Sequence, residues 1–332
     1  MHQAHPSHES RTSCHEPTLE PRGNCRPLFQ PTGLVLWSGD GQVRIGDGEE
    51  IVLLNGVSRA AMRWLHSLDG SRTWSTIVAE GPDADALRLF RAAWQRGCID
   101  DASIRPGPWW RSVGMARDGE AQRRALLHQL GSAVSAHALL EQRQESRIVV
   151  VGNGTLAHQA IAIARRSQLR VGWLQQVDGP LPADTACCVI ADGGHPEVAG
   201  RIDQSACQVP HLVLRAFGLR AVVGPVVIPG QTSCLACAHL HHVDAQAGWA
   251  QVAVQLTALT QRGDPICLDP VVARLAAGHA ILLARRVIDA PGHAASQLGN
   301  RAFLWSAGNC APRELARPAH PLCGCSWGNL SE

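Results

Sequence analysis

The rhythm of hydrophobic and polar positions changes twice along the chain. Residues 1–25 are rich in His, Ser, Pro and Glu and have no period, which predicts a disordered tail. From Pro27 to Asp101, the runs PLFQPTGLVLWS, GQVRIGD and EEIVLLN carry β-branched residues between Gly and Asp turn signals and predict three strands. Helix signals follow. Ser58 can cap a helix through Met62, Leu65 and Leu68 that ends at Gly70, and Thr73 can open a second over TWSTIVAEG. Asp83 can cap a third, on which Leu87, Phe90 and Trp94 recur at spacings of three and four and share one apolar face. Three strands followed by three short helices predict a winged-helix-like α+β unit over residues 27–101.

Residues 102–146 read as a linker, RPGPWW, running into an Arg/Ala/Leu helix from about Glu120 to Gln142. Trp109 and Trp110 are expected to pack one domain on the other. At Arg147 the pattern becomes strands alternating with helices, the signature of a parallel sheet covered by helices, and it continues to residue 332. RIVVVGNG, RVGWLQQV, ACCVIADGG and HLVLRAF read as strands, and TLAHQAIAIARRSQ as the helix behind the first. PVVARLAAGHAILLARRVID is a long amphipathic helix, and RAFLWSAGN a final strand.

Composition narrows the chemistry. The 332 residues hold no Lys and no Tyr, so every one of the 30 Lys-plus-Arg positions is Arg. A Schiff base, a P-loop lysine or a Lys general base is therefore closed to this chain alone. A net charge of +2 predicts no bulk nucleic-acid partner. Residues 27–101 carry seven Arg against ten acids, a net −3, which speaks against a DNA-binding winged helix. An extended peptide, added as a strand beside a helix, suits such a unit better. No apolar run reaches membrane-spanning length and no signal-peptide core opens the chain, so a cytoplasmic protein is expected.

Twelve Cys in a reducing compartment favour metal over disulfides. Cys234 and Cys237 form C-x-x-C, and Cys323 and Cys325 form C-x-C, each in a Pro/Gly-rich turn. Four thiolates suit a closed, structural zinc site, with His239 and His320 as substitute ligands. Cys98, Cys187, Cys188, Cys207, Cys267 and Cys310 are expected as core thiols. In VVVGNGTLA, Gly152 and Gly154 form a strand–turn–helix that can present backbone N–H groups to a phosphate. The next strand ends in Gln175 and Gln176 where a nucleotide fold commonly offers an acid, and Asp178 lies a little beyond.

These segments together resemble the ThiF-like, ubiquitin-activating-type fold. More narrowly, CVIADGGHPEVAGRIDQSACQVPHLVLRAFGLRAVVGPVVIPGQTSCLAC, the His-rich run after it and HPLCGC are similar to the leader-peptide-binding partners of YcaO cyclodehydratases in thiazole/oxazole-modified, bacteriocin-like peptide biosynthesis. Residues 27–101 resemble the PqqD-like recognition element that precedes that domain. The resemblance implies an α/β protein: a PqqD-like unit, then a Rossmann-like ThiF-type domain with a structural zinc. It implies that a precursor's leader docks on Ile51, Val52, Leu53 and Leu54, facing Leu87, Phe90 and Trp94. A separate YcaO-type enzyme would then use ATP to close azoline rings. Homodimers are common in the ThiF-like fold. Asp192 matches the acid that adenylating members carry after a later strand, so an ATP-dependent adenylating enzyme is the alternative. The missing Lys and acid favour docking over adenylation. A winged-helix transcription regulator is the weaker alternative.

Overall fold

The structure is a computed structural model that describes residues 20–30, 34–46, 51–104, 116–177, 179–191, 208–249, 251–255 and 268–325. The chain divides into two compact units, Met1–Ala138 and Leu139–Glu332.

In the first unit, β1 (Pro27–Phe29) is followed by β2 (Val35–Gly39), β3 (Gln42–Ile45) and β4 (Val52–Leu54). Helices α1 (Arg59–His66), α2 (Trp74–Ala79) and α3 (Ala84–Gln95) come next, then β5 (Ile99–Asp101). Each helix starts where a polar side chain takes up an orphan amide: Ser58, Thr73 and Asp83 accept from Ala61, Thr76 and Ala86. β2, β3 and β4 form an antiparallel sheet in that order, with Trp37 opposite Val43 and Arg44 opposite Leu53. The expected first strand is in fact two. PLF leaves that sheet and pairs antiparallel with β5, a strand that sequence pattern does not announce. The core closes on Val43, Ile45, Leu65, Ile77, Leu89 and Phe90.

The expected single connecting helix is also two, α4 (Ala116–Leu130) and α5 (Ala133–Glu145). Gly131, at φ +64°, ends the first, and the Ser132 hydroxyl accepts from the Ser135 amide to begin the second.

The second unit runs β6 (Arg147–Val151), α6 (Thr155–Arg166), β7 (Arg170–Leu174), β8 (Thr185–Ala191), β9 (His211–Phe217) and β10 (Arg220–Val227). It continues through α7 (Leu235–Ala245), α8 (Pro270–Asp289), α9 (Ala294–Leu298), β11 (Arg301–Ser306) and β12 (Arg313–Ala316). Among the described residues the sheet order is β12-β11-β10-β9-β8-β6-β7, parallel from β9 to β7 and antiparallel from β9 to β12. RAFLWS is thus not the last strand, because β12 pairs along its outer side. α6 and α8 cover one face. Ala157, Ala160, Ala164, Ala273, Ala276, Ala277, Ala280 and Ala284 keep their contact close, and Ile148, Val150, Leu212 and Leu214 fill the sheet side. The other face buries Val149, Val151, Cys188, Ile190, Val213 and Leu235. No helix among the described residues is long and apolar enough to cross a membrane.

Candidate functional site

The four cysteines of the two short motifs meet in space. Cys234 is the N-cap of α7 and Cys237 lies in its first turn, while Cys323 and Cys325 arrive from the segment after β12. The turn before α7 is tied down on both sides. Thr232 Oγ1 accepts from the Ile228 amide at 2.8 Å, and the Ser233 amide donates to Asn300 Oδ1 at 2.8 Å. Ser233 Oγ donates to the Arg317 carbonyl at 2.6 Å, and the Arg317 amide donates to the Asn300 carbonyl at 2.7 Å. This knot brings the strand leading into one motif beside the segment carrying the other.

The sulfurs lie 3.8 Å (Cys234 to Cys237), 3.5 Å (Cys234 to Cys323) and 3.3 Å (Cys237 to Cys325) apart, and all four fall within 4.8 Å of one another. Four sulfurs about 2.3 Å from a tetrahedral ion stand about 3.8 Å apart, so the cluster has the dimensions of a metal centre. All four are free thiols at distances far longer than a disulfide bond. Burial raises the Cys237 thiol, but hydrogen bonds from the backbone near His320 and from neighbouring thiols outweigh it and hold the group below its ordinary value. Cys325 is pushed up to about 11, first by burial and then by Cys237. His239 and His320, the expected substitutes, are engaged elsewhere. His239 Nδ1 accepts from the Trp249 indole at 3.2 Å. His320 accepts from the Leu322 amide at Nδ1 and therefore donates from Nε2 to Asp244 at 2.9 Å.

Cys98, Cys187 and Cys188 are buried, and burial pushes Cys98 and Cys188 up to about 12. Cys310 is a correction: it is exposed, on the turn after β11, and not a core thiol. Cys207 and Cys267 lie outside the described residues, as do Trp109, Trp110 and Asp178.

The glycine turn joins β6 to α6. Gly152 sits at φ +134°, and a Cβ there would stand 2.1 Å from the Ala191 carbonyl at the end of β8. Packing alone therefore requires glycine at this position. Gly154 is the N-cap of α6, extended, with no side chain to cover the helix amides. The Trp173 indole on β7 donates to the Gly152 carbonyl at 2.8 Å and packs beside His158. Asp192 lies outside the described residues, so the third member of the expected nucleotide set has no described position.

On the first unit, β4 is an edge strand among the described residues. Ile51 and Leu53 are exposed, whereas Val52 and Leu54 are half-buried and lean on the core with Leu87 and Trp94. α3 is fastened beside the exit of this strand. Arg88 donates to the Asn55 carbonyl at 2.8 Å, and Asp85 accepts from the Ser58 amide at 2.6 Å. Phe90 is fully buried, its ring stacked 4.3 Å from Trp74 and 6.0 Å from Trp94. It braces the face from beneath, because no ligand can reach it without opening the core.

No family model matches the sequence, and no curated protein matches it. The fold, by contrast, is similar to that of solved structures, among them a heterocyclase and the biosynthetic enzyme MccB. The heterocyclase TruD superposes with a TM-score of 0.63 at 16% identity, over 91% of this chain and 43% of that one. A heterocyclase in complex with substrate and cofactor gives 0.60 at 17%, over 91% and 40%. The microcin C7 biosynthetic enzyme MccB, in complex with N-formylated MccA, gives 0.60 at 13%, over 90% and 99%. The chain thus spans about two fifths of the heterocyclases (43% and 40%) and nearly all of MccB.

Proposed function

We propose that this protein binds the leader of a ribosomal precursor peptide and presents its core to a separate YcaO-type, ATP-dependent cyclodehydratase, which forms thiazoline or oxazoline rings in the cytoplasm. The observation that carries the reading is that β4, beside α3 in the acidic stretch 27–101, has a free edge among the described residues, within a fold similar to a heterocyclase. An added strand there gains backbone hydrogen bonds from β4. Its inward side chains meet Val52, Leu54, Leu87 and Trp94. Tethering the leader raises the effective concentration of the core at the partner's active site. Zinc is the metal that four thiolates suit, and a closed set of ligands gives it a structural role.

A titration of fluorescently labelled leader peptide tests the docking face. Saturable binding is expected, weakened at least tenfold by Leu54→Glu. Absence of saturable binding, or indifference to that substitution in a folded variant, overturns it.

The near-complete coverage of MccB favours a second reading, an adenylating enzyme acting on a peptide C-terminus. Against it stand the absence of Lys and the end of β7, where Gln175 and Gln176 replace an acid and Trp173 lies on the glycine turn. ATP–pyrophosphate exchange with candidate peptides separates the two, and robust exchange by the chain alone selects the enzyme.

A further inference from the structure

The sheet of the first unit has a second margin. Among the described residues β2 stands at the edge opposite β4, and beside it α1 closes a groove of about 610 Å³ lined by Trp37, Arg59, Met62, Arg63, His66 and Ser67. Alternation along β2 buries Val35, turns half-buried Trp37 to the same side and leaves Leu36 exposed. Trp37 and Met62 make the floor apolar. The Arg59 guanidinium stands 6.0 Å from the Trp37 ring centroid, and Arg63 and His66 follow on the same face of α1 at spacings of four and three.

Several arginines of the unit are compensated by acids. Arg72 pairs with Glu80, Arg88 with Asp85, Arg91 with Glu20 and Arg123 with Asp100. Arg59 and Arg63 pair with no acid among the described residues, although acids outnumber Arg by ten to seven over residues 27–101. Two exposed guanidinium groups and an exposed imidazole therefore wall an apolar groove against an open strand edge, and no acid lines it among the described residues.

We infer that this groove accepts an extended, acidic segment of a partner polypeptide as a strand added to β2. The segment sets carboxylates on Arg59 and Arg63 and lays the methylene stems of the same side chains over Trp37 and Met62. The spacing fits. Same-face residues of a strand repeat about every 6.7 Å, and four residues of helix rise about 6 Å, so carboxylates on alternate strand residues match the spacing of Arg59 and Arg63. The site is separate from the β4 edge, at the opposite margin of the sheet, and each stands or falls alone.

The test uses the full chain and three fluorescein-labelled probes: the peptide (Glu-Leu)4, the peptide (Lys-Leu)4 and a 20-base-pair DNA duplex. Saturable binding of (Glu-Leu)4 is expected, with slowed amide exchange across residues 35–39 and not across 52–54. Arg59→Glu with Arg63→Glu is expected to weaken it at least tenfold. Both arginines are exposed, so the charge-reversed chain should keep its circular dichroism and melting temperature. Equal binding of (Lys-Leu)4, indifference to charge reversal, or DNA binding that displaces (Glu-Leu)4 from these arginines overturns the inference.

Discussion

A salt bridge buried in the first unit sets the terms at the scale of single residues. Asp100 is 1% exposed and receives both terminal nitrogens of Arg123. Removing one partner leaves an uncompensated charge in the core, so Arg123→Met is expected to cost about 3–5 kcal/mol in urea unfolding. The double variant with Asp100→Asn should recover most of that loss. Neither residue stands out in the sequence, because their proximity comes from the β1–β5 ladder and α4, which are products of the fold. Gly152 was legible as part of a motif, but its reason was not. Gly152→Ala must push against the Ala191 carbonyl and is expected to lower stability by roughly 2–3 kcal/mol whether or not nucleotide binds. Asp101 carries a pH dependence. Burial raises its carboxyl, but the Ser103 hydroxyl and the Arg26 and Ser103 amides outweigh it and hold the group below the usual carboxylate range. A folded-state value below the unfolded one stabilises the protein above the unfolded value of about 4, and the gain disappears as pH falls through the folded value. The stability gap between the wild type and Asp101→Asn should therefore be full at neutral pH and close in acid.

At the scale of elements, local chemistry was readable and long-range pairing was not. Ser58, Thr73 and Asp83 cap the helices they were expected to cap, and α8, which Asp269 caps, occupies the amphipathic run, because caps and 3.6-residue periodicity are local. β5 and β12, three and four residues long, were missed, since a strand that short has too few alternations to register. The α4–α5 break was signalled by Gly131 and Ser132, but the continuous Arg/Ala/Leu pattern outweighed it. The third helix shows the same limit in another form. Periodicity puts Leu87, Phe90 and Trp94 on one face without telling which of them reaches solvent. The structure separates them, and so does an experiment. Phe90→Ala removes a fully buried ring stacked on two indoles and is expected to cost about 3–5 kcal/mol of stability. Leu53→Glu, on an exposed side chain of β4, should leave the melting temperature within a degree or two of the wild type. If Phe90→Ala were as stable as the wild type, α3 would have to pack by another face.

Across the whole molecule, the cysteine cluster closes the chain on itself. Ser233, Asn300 and Arg317 already hold the two arms together through hydrogen bonds. The four thiols gather from positions 234 to 325, and a metal ion held there would join segments far apart in sequence at a single point. An ion that binds the folded state and finds no preformed site in the unfolded one adds its binding free energy to stability. Protein purified without added metal is therefore expected to carry about one zinc per chain. A strong chelator should lower the melting temperature by several degrees, and zinc should restore it. Cys237→Ser takes out the buried ligand at the head of α7 and should abolish stoichiometric metal. Cys310→Ser changes an exposed thiol outside the cluster and should leave both metal content and melting temperature as they are. The loss should also be local. Amide exchange is expected to rise around α7 and the segment after β12, while β6, β8 and β9, buried between two packed faces, keep their protection. Metal-free protein with an unchanged melting profile and unchanged exchange near Cys234 would show that the hydrogen-bonded knot alone holds the arms, and that the four sulfurs meet without an ion.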